Sequence, residues 1–370
     1  MPEARVITSI ADIGRESWDR LFPDEVESFA YLLAVETAGL DAFDWRYLVV
    51  EDAGQLLAAV PMFLTTYALD TTLGDVGRRM VARVRRVFPD MLNLPLACLG
   101  SPCTEMLPLG FSPEAGPGRQ PALLRMLLDA FEVEAGRGGA HLMGVKDVPA
   151  CQAPLWDAVA GARGYRGIAG LPVASLDIAF HTLEAYLATL SPGTRKDMRR
   201  KLRNRAKVRL EWRHDLDGVL DQTMALYRQT RDRADMQFED LTPDYFSGVA
   251  TAMGERAVYG LYWSGNDLLA VNMLLRGDDI LTDKFFVMDG ERGRALDLYF
   301  LSWFNNIDYC LEANLARYQS GAAAYDIKLR LGSTLIGTSL YFRHRNRLMN
   351  RGLNLVAPLF AADSTLRPAA

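Results

Sequence analysis

The chain has 370 residues, enough for two domains with their own cores, and its 49% hydrophobic and 24% charged content is that of a globular protein, not a disordered one. No run approaches the ~18 uninterrupted apolar residues of a spanning helix, and the start MPEARVITSIADIGRESW lacks the basic and apolar regions of a signal peptide, so cytoplasm is the expected compartment. The net charge of −5 is unevenly spread: residues 195–213 hold ten basic and two acidic side chains, +8, which leaves 31 basic against 44 acidic, −13, elsewhere.

In chain order, RYLVV at 46–50 and QLLAAVPMFL at 55–64 read as two strands around the turn EDAG. Residues 71–90 hold a smaller basic amphipathic segment, and 110–121 read as a Gly/Pro-rich loop. A long helix is predicted at 121–136, then the strand AHLMGV, a short helix near 153–161 and a closing strand at PVASLDI. The second half repeats this order. A helix at 216–234 precedes three strands, AVYGLYW, DLLAVNMLLR and DILTDKFFV, joined by SGN and GDD turns. The long helix ALDLYFLSWFNNIDYCLEAN, the strand LARYQS, the short helix AAYDIKLRL and a last strand TSLYFRH follow, with a frayed tail at 361–370.

Two halves with the same element order predict an α/β fold with mixed sheets, duplicated in tandem. The expected divisions are 1–185, 186–345 with a basic helix at 192–207, and an extension at 346–370.

On a helix, Arg195, Arg199, Arg203 and Lys207 form one stripe flanked by Lys196 and Arg200, while Met198, Leu202 and Ala206 supply an apolar seat. Ser191 is the expected N-cap, Pro192 the first helical residue, and VRLEW after Lys207 a strand. Cations at this density suit the phosphates of CoA, a carrier-protein arm, tRNA or an anionic lipid; a solvated face paired with the acidic remainder is the alternative.

Cysteines 98, 103, 151 and 310 and histidines 141, 181, 214 and 344 have no metal-ligand spacing, so the thiols read as packed and no metal is expected. The patterns GxxxxGK[ST], GxSxG and HExxH are absent, which argues against nucleotide hydrolysis, serine hydrolysis and zinc proteolysis. His214, between Arg213 and Asp215, is either a base or an exposed residue, and Trp18 and Trp45 are assigned to the first core.

Asp283 and Lys284 interrupt an apolar strand, where a charged pair is costly unless matched or lining a cavity. One should face the cleft: Asp283 is a candidate general base or amine anchor, or else half of a strand-end ion pair. Lys284 is its candidate partner in the site. Asn272, in LLAVNMLL, would orient a carbonyl or bond the backbone. Lys146 ends a strand that could face the interdomain cleft, and the aromatics of the long helix read as core packing before ligand platform.

SPGTRKDMRRKLRNRAKVRLEW resembles the Ser, basic helix, strand segment that opens the second domain of FemAB-like acyltransferases, which are tandem GNAT-type folds. YQSGAAAYDIKLRLGST is similar to the Gly, Lys, Gly segment that closes their GNAT-like domain. The resemblance covers about residues 1–345. It implies acyl transfer from an activated carrier, acyl-CoA or aminoacyl-tRNA, to an amine, with no tightly bound cofactor. It also implies that the helix carrying Tyr325 and Lys328, three residues apart on one face, lies near the carrier. There Lys328 would meet phosphate or the carbonyl oxygen, and Tyr325 would protonate the leaving group. The sequence departs from the GNAT pyrophosphate pattern [Q/R]-x-x-G-x-[G/A]: Gly293, Arg294 and Ala295 supply its second half, but Gly290 stands in the first position. A catalytically inactive module binding RNA, a carrier protein or anionic membrane is the alternative function.

Overall fold

The computed structural model describes residues 1–68, 93–233 and 239–357; the segment at 71–90 and the tail at 361–370 lie outside them. The chain opens with β1 (Glu3–Ile7), α1 (Arg15–Asp19) and α2 (Phe29–Glu36), followed by β2 (Asp44–Asp52) and β3 (Gln55–Ala68). Next come β4 (Asn93–Leu99), β5 (Gly110–Phe111), α3 (Gly116–Arg137), β6 (Leu142–Pro149), α4 (Ala153–Val159) and β7 (Arg166–Ala169). β8 (Val173–Asp177), α5 (Leu183–Thr189), α6 (Pro192–Leu202), β9 (Arg209–Arg213), α7 (Leu220–Arg231) and α8 (Pro243–Met253) lead to β10 (Ala257–Ser264), β11 (Asp267–Arg276) and β12 (Ile280–Met288). The last elements are α9 (Arg292–Ala295), α10 (Leu298–Glu312), β13 (Arg317–Gly321), α11 (Tyr325–Arg330), β14 (Thr334–Ile336), β15 (Thr338–His344) and α12 (Arg347–Val356).

Two mixed sheets result, with orders β1-β2-β3-β4-β6-β15-β7 and β14-β8-β13-β12-β11-β10-β9, and β5 on β3. Each contains one parallel step, β4 with β6 and β12 with β13. A parallel step needs a long crossover, which α3 and α10 supply. This is the expected tandem α/β architecture.

The division at 185/186 is corrected by strand pairing. β8, assigned by position to the first half, lies between β13 and β14 in the second sheet; β15, assigned to the second, lies between β6 and β7 in the first. The halves therefore exchange a strand. Short apolar strands look alike in sequence, and their partners are remote.

Other boundaries also moved. The Gly/Pro-rich loop at 110–121 already contains β5 and the start of α3: Pro117 falls in the first turn, where a missing N–H costs little, while Pro121 lies inside the helix and removes one of its N–H donors. β4 and α8 were not anticipated. The long helix expected from Ala295 is broken by Asp297, whose left-handed backbone (φ 57°) separates α9 from α10.

Trp18 packs with Phe22 and Tyr47 in the first half. Trp45 instead joins Tyr31, Val35 and Phe63 with Tyr245, Phe246 and Val249 in a core shared between α2 and α8. That shared core fixes the halves against each other. On α10, Trp303, Phe304, Ile307 and Cys310 are buried, so the aromatic helix is a packing element.

Candidate functional site

The basic segment folds as the sequence predicts at its start. The Ser191 hydroxyl accepts from the Thr194 N–H at 3.3 Å, Pro192 is the first helical residue, and buried Met198 provides the seat. α6 ends at Leu202 and continues as a 3-10 turn to Lys207. Its cations divide into two sets. Lys201 pairs with Asp297 at 2.7 Å and lies 4.0 Å over the Phe300 ring, and Arg205 pairs with Asp308 at 2.7 Å; both tie the segment to α10. Arg199 and Arg200 make exposed pairs with Glu184 and Asp197, which solvent screens and which are easily exchanged. Among the described residues Arg195, Lys196, Arg203 and Lys207 have no carboxylate partner, and the last three are exposed. A cleft of about 160 Å³ lined by Arg205, Tyr262, Leu301 and Asn305 opens beside this segment.

The turn carrying Gly293, Arg294 and Ala295 does not offer the expected phosphate cradle. The Asp289 carboxylate accepts from the N–H groups of Glu291 and Arg292 at 3.0 and 2.8 Å, and Gly293 donates to the Asp289 carbonyl. An anion supplied by the chain thus occupies the N-terminal N–H groups of α9. Gly293 packs closely on Met288: a Cβ there would stand 2.8 Å from the Met288 sulfur, which would have to shift. Asp297, at the N-terminus of α10, is held by Lys201 and Asn204.

Asp283 and Lys284 are neighbours on β12 and their side chains point to opposite sides, at a place where the strand also bulges. The register with β11 passes from Met273↔Phe285 to Leu274↔Asp283, leaving Lys284 as the extra residue. Asp283 turns into the second half, where Asn272 and the Tyr318 hydroxyl each donate to it at 2.7 Å and Asn306 donates to Asn272 at 2.8 Å. Burial raises its pKa while Tyr318 and Asn272 lower it. With its lone pairs so engaged, Asp283 is a buried acceptor within the second half, an arrangement that fits neither the free general base nor the strand-end ion pair among its readings.

Lys284 turns to the junction of the halves. Its side chain is 2% exposed and pairs with Glu27, donates to the Cys103 carbonyl at 2.8 Å and lies 3.5 Å from Glu105. Against the cost of burial, Glu27 and Glu105 hold Lys284 protonated. Two carboxylates share one ammonium, so burial pushes Glu27 up to about 7. Lys146 clamps the same loop from the other side, donating to the carbonyls of Ser101 and Thr104 at 2.9 and 3.2 Å, and the Tyr31 hydroxyl donates to Cys103 O. The Glu105 N–H donates to Glu27.

Both halves thereby fix Glu105, which reaches the end of β13. A Cβ on Gly321 would lie 3.3 Å from its Oε2, and Gly321 has φ 73°. Lys328 is buried beneath this point and donates to the carbonyls of Ser320 and, at 3.1 Å, Gly321. Two of its three hydrogens are so engaged. Burial lowers its pKa, with Asp283 and Glu105 opposing. Tyr325 is redirected: its hydroxyl donates to the Pro172 carbonyl at 2.8 Å, and burial pushes its pKa up to about 12, which suits a brace and not a proton donor to a leaving group. Arg330, on the outer side of α11, comes within 4.0 Å of Asp197 on α6, so the basic helix adjoins the helix of Lys328.

The structure brings together Lys284, Lys328, Gly321, Glu27 and Glu105. It places Asn272 and Asp283 behind them, and the α6 cations and α9 turn at separate edges. Glu27 and Glu105 escaped the sequence reading; lone glutamates in loops carry no periodic signal, and only the Gly-Ser-Pro turn before Glu105 marked the place. Cys98, Cys103 and Cys310 are buried thiols with raised pKa values, and exposed His214 bonds the Ala257 carbonyl. Among the described residues no helix is long and apolar enough to cross a membrane, and no His, Cys, Asp and Glu cluster could hold a metal.

Residues 176–352 match the FemAB-like family, described as one of peptidoglycan biosynthesis and recognition. No curated protein matches the chain in sequence. Among solved structures, FemX superposes with TM-score 0.57 at 13% identity over 86% of this chain and 92% of its own. A tandem GNAT protein from the clavulanic acid biosynthesis pathway gives 0.55 at 12% identity over 94% and 99%, and L-PGS from Bacillus licheniformis gives 0.52 at 11% over 88% and 92%. At these identities the likeness is one of fold. The resemblance drawn from the basic helix and the closing Gly, Lys, Gly segment agrees with the FemAB-like match over residues 176–352, and the tandem GNAT-like architecture is that of the superposed structures.

Proposed function

We propose that this FemAB-like chain of two GNAT-type halves is an N-acyltransferase, moving an acyl or aminoacyl group from a phosphate-bearing carrier to an amine at the junction where Glu105, Gly321 and Lys328 meet. The observation that carries this reading is Lys328, a buried side chain with two hydrogens on backbone carbonyls and, among the described residues, no hydrogen-bond partner for the third, which in this reading meets the substrate. As the amine nitrogen bonds the carbonyl carbon, negative charge develops on the oxygen, and an ammonium in a water-poor site stabilises it. The carbon–oxygen or carbon–sulfur bond to the carrier then breaks. The proton lost by the amine ends on the leaving atom, and Glu105 is the carboxylate placed to hold it between these events.

The exposed cations Lys196, Arg203 and Lys207, with exchangeable Arg199 and Arg200, form the carrier's phosphate contact in this reading. Asp289 on the N–H groups of the α9 turn weighs against a CoA pyrophosphate there, so aminoacyl-tRNA is the donor we favour, with CoA or a carrier protein next. The acceptor class is the amine of a cell-wall or lipid precursor or of a natural product, and the setting is the cytoplasm.

Mass spectrometry of product after incubation with charged tRNAs, acyl-CoAs and candidate amines tests the proposal. Aminoacylated amine formed by the native protein and lost in Lys328→Ala is the expected result. Product from acyl-CoA alone overturns the donor assignment. No product from any donor, with tRNA binding retained, favours the inactive RNA-binding module.

A further inference from the structure

α12 is seated inside out. Its polar side faces the protein: Asn350 accepts from the His344 N–H at 2.8 Å and donates to the Gly164 carbonyl at 3.1 Å, and the Oδ1 of Asn354 is buried. Its apolar side faces outward, with Leu348 75%, Met349 57% and Leu355 83% exposed. Leu348 and Leu355, seven residues apart, form one strip. Arg347 and Arg351 border it on the helical wheel, both exposed, and among the described residues neither they nor Arg345 pair with a carboxylate. From Arg343 to Ala357 the sequence has no Asp or Glu.

From this geometry we infer that α12 docks on an anionic phospholipid bilayer, its leucines entering the headgroup boundary and its arginines meeting lipid phosphates. An apolar strip with a cationic border is the chemistry of interfacial helices. A second copy of the chain fits less well, because twofold pairing of these faces sets arginine against arginine with no acid on the helix to neutralise them. The docking is independent of the acyl-transfer reading and uses none of its residues.

The test is cosedimentation of the full chain with vesicles of phosphatidylcholine, or of an equimolar mixture with phosphatidylglycerol, at low and physiological salt. Binding to the mixed vesicles only is expected, falling roughly tenfold or more in the doubly substituted Leu348→Glu/Leu355→Glu protein. Both positions are exposed, so an unchanged melting temperature certifies the variant's fold. No binding at low salt overturns the inference, as does equal binding by the variant, which moves the contact to α6. A native dimer that the same substitutions dissociate, with no vesicle binding, gives the face to a second copy and overturns it as well.

Discussion

Glu105 of the first half and Gly321 of the second meet across the junction, with the carboxylate oxygen 3.3 Å from where a Cβ on Gly321 would stand. Gly321 is also left-handed, at φ 73°. Alanine there meets both a conformational cost of roughly 1–2 kcal/mol and the carboxylate. Gly321→Ala is expected to lower the melting temperature and to suppress product formation. Adding Glu105→Ala should recover only the steric part of the lost stability, which a double-mutant cycle of thermal melts measures.

Lys328→Ala removes the ammonium that, in the proposed reaction, would face the developing oxyanion. Turnover should fall on the order of 10²–10³-fold while KM for the carrier stays near its native value. Steady-state kinetics that show the loss in KM instead would reassign Lys328 to carrier binding.

Glu27 has a folded pKa of about 7 against an ordinary value of 4.5. The folded state therefore keeps a proton that the unfolded chain releases, so this group's stabilisation is complete below pH 4.5 and is lost as pH rises to 7. The change is on the order of 2–3 kcal/mol. Denaturant titrations across that window should show falling stability in the native protein and a flatter profile in Glu27→Gln. A native profile that rises would place the pKa below 4.5.

Replacing Lys196, Arg203 and Lys207 together by alanine should weaken tRNA binding and flatten its salt dependence, by about two to three in the log–log slope. Melting temperature should hardly move, since all three are exposed and none is ion-paired among the described residues. Lys201→Ala should do the reverse, costing stability through Asp297 and Phe300 with little change in slope. Binding isotherms at several salt concentrations, with melts alongside, separate the two.

What the sequence determined by itself is what a few neighbouring residues encode. The cap and seat of α6, the hairpin of β2 and β3, the packing face of α10 and the placing of Lys328 after a Gly-ended strand all rest on spacings of one to ten residues. The tertiary structure alone decided which charges are free and which are matched. Lys284 and Glu27 stand 257 residues apart, β8 and β15 change sheets, Asp289 takes the N–H groups that a phosphate would have used, and α12 turns its leucines outward. Periodicity reports that a residue lies on a face; whether that face is covered, and by which charge, depends on chain brought from far away by the shared core of the two halves.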